Sequence, residues 1–453
     1  MRAKLIATLT TVLLASGVVQ ASPARFADDH SDNLIQKALT PIKIDKGVSA
    51  QGSDLAFKGK LVFAGSYQGL GIFKTLARKP FIKQLSFLTC AGGQGDVSVL
   101  GNYAFASVDS PLVGPTCSLE DTKGASNDQV AAGEAWEGIR IYDISDPYRP
   151  RYLESVYTDC GSHTHTLLPG ATTSYIYIES YPLSGQSANN CSYVSHRKVQ
   201  IIEFPTADPT KAKLLEQTID TTPAIGCHDI TTFPDRNLMA GACISQSMIW
   251  DIKDPKAPVL LSTITNPDIS IHHSTAMTWD GKILVLGDEF GGAEGGGCAG
   301  DEDSTVGAAW FYDVTDPANP VLKGHHSLPR VPQPSSGDGA DRIRCTNHNF
   351  NVIPVRSDKY LLAVCYYMGG IAVVDFTDPT DPTEVAHYVT MPGGVPQDTW
   401  SSYWYNGRIY TNDFQSQLGV GVYAFKGTTN QDQTRFFRGE MNPQVQFEGN
   451  LRP

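Results

Sequence analysis

Four histidines recur at one position of a repeating pattern. His163 precedes Pro169 by six residues, His228 precedes Pro234 by six, His273 precedes Trp279 by six, and His348 precedes Pro354 by six. Each pair brackets a short run that ends in a turn. Imidazole suits zinc, copper and iron. Four imidazoles at one structural position therefore point to a transition-metal site (Zn, Fe or Cu) with a coordination place left for water or substrate. His165 and His272 lie beside them as spares. Glu179, Asp288, Glu289 and Asp413 close the runs that follow the turns. They are placed to orient the imidazoles or to act as general bases. The bland alternative is that each histidine bonds a neighbour's backbone and that the acids are solvated loop residues.

The elements that must position these groups are announced by a recurring phrase. It reads Ile139 to Pro147 with Pro150, Met248 to Pro255 with Pro258, Trp310 to Pro317 with Pro320, and Ala372 to Pro379 with Pro382. A degenerate copy runs from Ile201 to Pro209. The aspartates at 251, 313 and 375 are 62 residues apart. A period of this kind marks a repeat architecture. The β-branched and aromatic run makes a strand, and the Asp-Pro pair makes a turn in which carboxylates accept backbone amides. A strand follows each phrase, and a strand pair joined by a tight turn precedes it, as in Val97–Val99 and Tyr103–Phe105. Each unit thus holds four antiparallel strands, A to D, which is one propeller blade. Strand A starts near Asp54, Asp96, His163, His228, His273, His348 and Trp400. The expectation is an all-β, single seven-bladed propeller over residues 51–427. Two stacked sandwiches fit less well, because no Pro/Ser-rich linker divides the chain. The first unit lacks the Asp-Pro phrase, and the seventh lacks a clear fourth strand. Residues 22–50 are expected to form an N-terminal segment able to help close the ring, and residues 428–453 a C-terminal tail.

Asp96-Val97-Ser98-Val99-Leu100-Gly101-Asn102-Tyr103-Ala104-Phe105-Ala106, with the Asp143-to-Pro147 phrase, resembles the consensus of the LVIVD-repeat family. The likeness extends from about Gly52 to Phe425, and the third unit departs from it at Glu203-Phe204-Pro205. The resemblance implies a propeller-like fold in an exported or surface protein of bacteria or archaea. It names no substrate, and fold does not give function. The consensus carries a histidine at the aligned position, as in His228-Asp229, which favours a structural role for it.

In a propeller strand A is innermost and lines the channel. Residues in the same phase on neighbouring inner strands point in equivalent directions. The four histidines are therefore expected to share one volume at one mouth of the channel. The nine cysteines (Cys90, Cys117, Cys160, Cys191, Cys227, Cys243, Cys298, Cys345 and Cys365) fall at that same end by strand direction, as do the inserts Ser110 to Glu137, Tyr181 to Arg197 and Gly291 to Gly307. The expected pairs are Cys90–Cys117, Cys160–Cys191 and Cys227–Cys243. Cys298 and Cys365 compete for Cys345, and the odd count leaves one thiol free. The acidic, glycine-rich run Glu294 to Asp303 is a weaker candidate for calcium.

Arg2 and Lys4 precede an apolar run from Leu5 to Val19, and Val19-Gln20-Ala21 is a small-x-small site. This reads as a signal peptide, residues 1–21, cleaved after Ala21. The mature chain is expected outside the cytoplasm, secreted, periplasmic or on the cell surface, where cysteines pair. Its net charge falls from −12 to −14 on losing two basic residues. Such a charge argues against nucleic-acid partners, and no later segment is apolar enough to span a membrane. Two function classes remain. One is a binding protein whose loop-rich, disulfide-pinned face holds an extracytoplasmic ligand or partner. The other is a metal-dependent enzyme, hydrolase or oxidoreductase, working at the four histidines.

Overall fold

The structure, a computed structural model, describes residues 28–45, 47–182, 191–192, 196–290, 297–332, 343–355, 359–426 and 438–446. The signal-peptide segment, residues 1–21, lies outside them. Seven antiparallel sheets form a seven-bladed β-propeller. Blade two shows the rule: Val97–Leu100, Tyr103–Leu112, Trp136–Asp143 and Arg151–Tyr157 pair in sequence order from inside to outside. Blade five repeats it with His272–Met277, Ile283–Asp288, Ala309–Asp313 and Val321–His326. The Asp-Pro phrases form the turns between the third and fourth strands. Asp143 accepts the Ser145 amide at 2.9 Å, and Asp146 accepts that of Tyr148 at 3.0 Å. Asp313 and Asp316 repeat this with Thr315 and Ala318.

The alternation of each strand feeds the gaps between blades. Val285 and Phe311 of blade five pack with Leu362, Val374 and Phe376 of blade six, all essentially buried. Similar clusters fill the other gaps. Burying a side chain of this size contributes roughly 1.5–3 kcal/mol, so the ring is a continuous core and a rigid frame for its channel.

Blade seven takes its fourth strand from the other end of the chain. Leu34–Thr40 pairs with Val420–Phe425. Asp29 and His30 extend blade six against Tyr388 and Val389. The C-terminal segment enters the channel at the end carrying the A–B turns. Glu440 and Met441 pair with Lys58 and Phe57 of blade one. Asn442 bonds Val99 of blade two at 2.6 and 2.9 Å, and the Gln446 amide donates to Thr232 O of blade four at 2.9 Å. Met441, Asn442, Gln444 and Val445 are buried. This segment runs beneath the inner strands at the end opposite the histidines.

Candidate metal centre

Each histidine sits where strand A begins, opposite the end of strand B. The His163 amide donates to Glu179 O at 2.9 Å, that of His228 to Ala242 O at 2.8 Å, and that of His348 to Cys365 O at 3.1 Å. His273 lies within strand His272–Met277, at a break in register between His272↔Asp288 and Ser274↔Gly287. A bulge of this kind re-aims a side chain. Gly226 precedes His228 with φ +111°, and a Cβ there would lie 2.1 Å from Ser180 O, so only glycine lets the chain enter this strand.

The four imidazoles converge. His163 Nε2 and His228 Nε2 lie 2.9 Å apart. Ring centroids are 3.7 Å apart for His228 and His273, and 4.4 Å for His273 and His348. Glu289 joins them, with Oε2 3.5 Å from His273 Nε2 and Oε1 3.9 Å from His348 Nε2. Two donors each 2.0–2.1 Å from one tetrahedral ion sit about 3.3 Å apart. The donor–donor distances of 2.9, 3.5 and 3.9 Å lie on either side of that value. Among the described residues, His228, His273 and Glu289 are the one group of His, Cys, Asp or Glu whose donor atoms all fall within 4.8 Å of one another.

Protonation agrees with ligation. Burial, and then the neighbouring imidazoles, hold His228 and His273 well below the ordinary histidine range. Burial brings His348 down to about 3. Neutral imidazole is the form a metal takes. Burial pushes Glu289 up to about 7. Two rings are oriented from behind. His163 Nδ1 meets Asp109 Oδ2 at 3.0 Å, and His348 Nδ1 bonds Trp400 O. Both arrangements turn Nε2 inward, as an outer carboxylate or carbonyl does for a metal-bound histidine. His273 is fully buried, yet neither ring nitrogen makes a hydrogen bond to the described protein. Such a group is costly unless something else satisfies it.

Of the four acids read from sequence, only Glu289 meets an imidazole. Glu179 takes the Thr164 hydroxyl at 3.1 Å. Asp288 accepts the Ser270 and Ile271 amides at 3.0 and 2.9 Å, shaping the turn before His272. Asp413 accepts the amides of Asp398 and Gln415. The solvated-acid alternative fails as well, since all four are buried. The spare histidines face elsewhere. His165 bonds Ser98 and Ser107 of blade two, and His272 bonds Ser247 of blade four. Sequence reasoning missed Asp109 and Tyr367. Asp109 lies on strand B of blade two, Tyr103–Leu112, close to the level of the other acids, so the same rule would have found it. The Tyr367 hydroxyl donates to Glu289, and Arg344 stacks on its ring at 4.2 Å.

A cavity of about 250 Å³ opens over the cluster, lined by His163, His228, His348 and Glu289 together with Gln94, Tyr181, Ile244, Ile271, Tyr367 and Trp400. Disulfides gather around it: Cys90–Cys117, Cys160–Cys191, Cys227–Cys243 and Cys298–Cys345. Cys365 is the free, buried thiol, so Cys298 wins the competition for Cys345. Of the weaker calcium candidate, Glu294 lies outside the described residues. Asp301, Glu302 and Asp303 are exposed.

Residues 91–113 match the LVIVD repeat. The chain carries an LVIVD repeat. This repeat spans the inner strand of blade two and its partner, and it supplies Gln94 to the cavity wall and Asp109 to His163. No curated protein matches the chain in sequence. Among solved structures, Kuenenia stuttgartiensis hydrazine synthase is 10% identical with a TM-score of 0.51, over 84% of this chain and 98% of that one. A protein from Desulfotomaculum acetoxidans DSM 771, described as functionally unknown, is 12% identical with a TM-score of 0.45, over 74% of this chain and 85% of that one. At such identities the first likeness shows the fold alone. The LVIVD match likewise assigns architecture and no activity. No helix among the described residues is long and apolar enough to cross a membrane.

Proposed function

We propose that this chain is an exported, metal-dependent enzyme of the LVIVD-repeat propeller type. His163, His228, His273 and His348 hold one transition-metal ion, with Glu289 as a fifth donor or as a base beside it. The observation that carries this reading is the buried donor group of His228, His273 and Glu289, with His163 beside His228 at 2.9 Å, the His348 ring beside that of His273, and His273 making no ring hydrogen bond. The ion, when bound, supplies Lewis acidity or an activated water to a hydrolase, or electron transfer to an oxidoreductase. The chain does the rest. Asp109 and the Trp400 carbonyl fix two imidazoles, Tyr367 holds Glu289 in place, and the aromatic cavity wall limits water at the centre. Four disulfides support the exported location, because such bonds persist in oxidising compartments. A second reading, a binding protein without chemistry, draws on the cavity and its disulfide-pinned rim.

Metal analysis of protein purified without an affinity tag tests the proposal. About one zinc, iron or copper per chain is expected, and His228→Ala and His348→Ala should lose it. Metal-free protein that takes up none of these ions, with stability unchanged by chelator, leaves the binding reading alone.

A further inference from the structure

The cavity above the imidazoles has a composition that selects among ligands. Its wall beyond the candidate metal ligands is Gln94, Tyr181, Ile244, Ile271, Tyr367 and Trp400. Three of these are aromatic, two are aliphatic, and one is an amide. Among the described residues, no lysine or arginine lines it. The Arg344 guanidinium stacks on the Tyr367 ring at 4.2 Å and is bound to Asp398 at 2.7 Å. Asp109 and Glu289 both touch the imidazole set, so carboxylate groups already stand at the floor that an anion would approach. Phosphates and multiply charged acids are therefore poor guests.

Size and polarity narrow the class further. An apolar cavity of about 150 Å³ takes up benzene. The present one, at about 250 Å³, holds one substituted six-membered ring and little more. A sugar of that size carries several hydroxyls, each needing a partner once buried. Gln94 is the one wall residue whose side-chain amide is built to bond several of them. The guest that fits presents one ligating oxygen to the floor and a flat apolar body to the walls. Resting on the metal centre proposed above, we infer that the site takes a small neutral monocyclic aromatic alcohol, of the phenol or catechol class. The ring lies between Trp400 and the Ile244–Ile271 side, with its oxygen toward the imidazoles.

The test uses the full chain loaded with cobalt(II), whose visible bands report on its ligands. Metal content is measured first in every sample. Phenol and catechol are expected to shift the bands and saturate, while inorganic phosphate and glucose at equal concentration leave them unchanged. Trp400→Leu and, as a second variant less coupled to the fold, Ile271→Asn should weaken phenol binding at least tenfold. Phosphate or glucose acting at lower concentration than phenol overturns the assignment. So does cobalt-loaded protein whose bands ignore both phenols, which would leave the metal centre standing. Protein that fails to load cobalt overturns the metal centre and this inference together.

Discussion

Replacing His273 by leucine separates a ligand from a structural histidine. His273 is fully buried with no hydrogen bond to either ring nitrogen, and its Nε2 lies 3.5 Å from a Glu289 oxygen. A buried polar atom left unsatisfied costs roughly 1–3 kcal/mol. Two such atoms cost on the order of 2–6 kcal/mol in the metal-free protein. Leucine removes both, and its imperfect fit in the imidazole's space costs about 1–1.5 kcal/mol. The metal-free variant should therefore be more stable than the parent, by about 0.5–5 kcal/mol. With metal the order reverses. A ligand at a hundred times its dissociation constant stabilises the folded parent by about 2.7 kcal/mol, and the variant, short of one donor, gains far less. Urea unfolding of both proteins, in chelator and in excess metal, reads the four free energies. A His273→Leu protein destabilised by 2 kcal/mol or more in chelator would refute the reasoning, since that is the behaviour of a side chain whose contacts hold the core.

Asp109→Asn should lower metal affinity about 10–100-fold without changing the fold, as loss of an outer carboxylate does; competition with a coloured chelator measures it. His196 and His326, outside the four-histidine set, are held down to about 4 against 6.5, by burial first, with Lys198 adding for His196 and Arg330 and His325 for His326. Depressed imidazole values mean the unfolded chain takes up protons first on acidification. Their contribution is complete above pH 6.5 and is lost as pH falls toward 4, at up to about 1.4 kcal/mol per pH unit for each. Stability that stays level from pH 7 to 5 in chelator would contradict this, bearing in mind Asp159 beside His196 and Tyr366 beside His326. Thiol titration should find one reactive group, Cys365, and only after unfolding; two or more free thiols in fresh protein would contradict the four bonds.

The blades were legible because their signals are local. The Asp-Pro phrase writes its own turn, with Asp143 and Asp146 closing it on backbone amides two residues away. Three of the cysteine pairs were readable for the same reason, being short-range along the chain. Long-range partners were not legible. The segment around Leu34 is expected to help close the ring, but its pattern does not place it on blade seven, because any alternating strand can serve an open edge. Nothing in Met441 or Asn442 says that this segment meets the inner strands. The spacing of the histidines showed that they share a phase, and the phase left open whether they face the axis or a blade boundary. Glu179, Asp288 and Asp413 illustrate the limit from the other side. They stand at the same level as Glu289, yet a hydroxyl or a backbone amide claims each first.

What makes a site here is the departure from the repeat. Asp54, Asp96 and Trp400 precede their turns by the same six residues as the histidines, so all seven blades offer a side chain at this level. A strictly regular ring would hold seven like groups at equal spacing, too far apart for one ion with bonds of about 2 Å. The register breaks at His273 and at Trp400 remove that equality. One moves an imidazole toward its neighbours, and the other brings a carbonyl onto His348 Nδ1. Blades three to six thereby gather their histidines to one side of the channel. Blade two contributes Asp109 behind the first of them, and blade five contributes Glu289 among the last. The rigid frame comes from what the blades have in common. The chemistry comes from four positions that share a residue type and two strands that break register to bring them together.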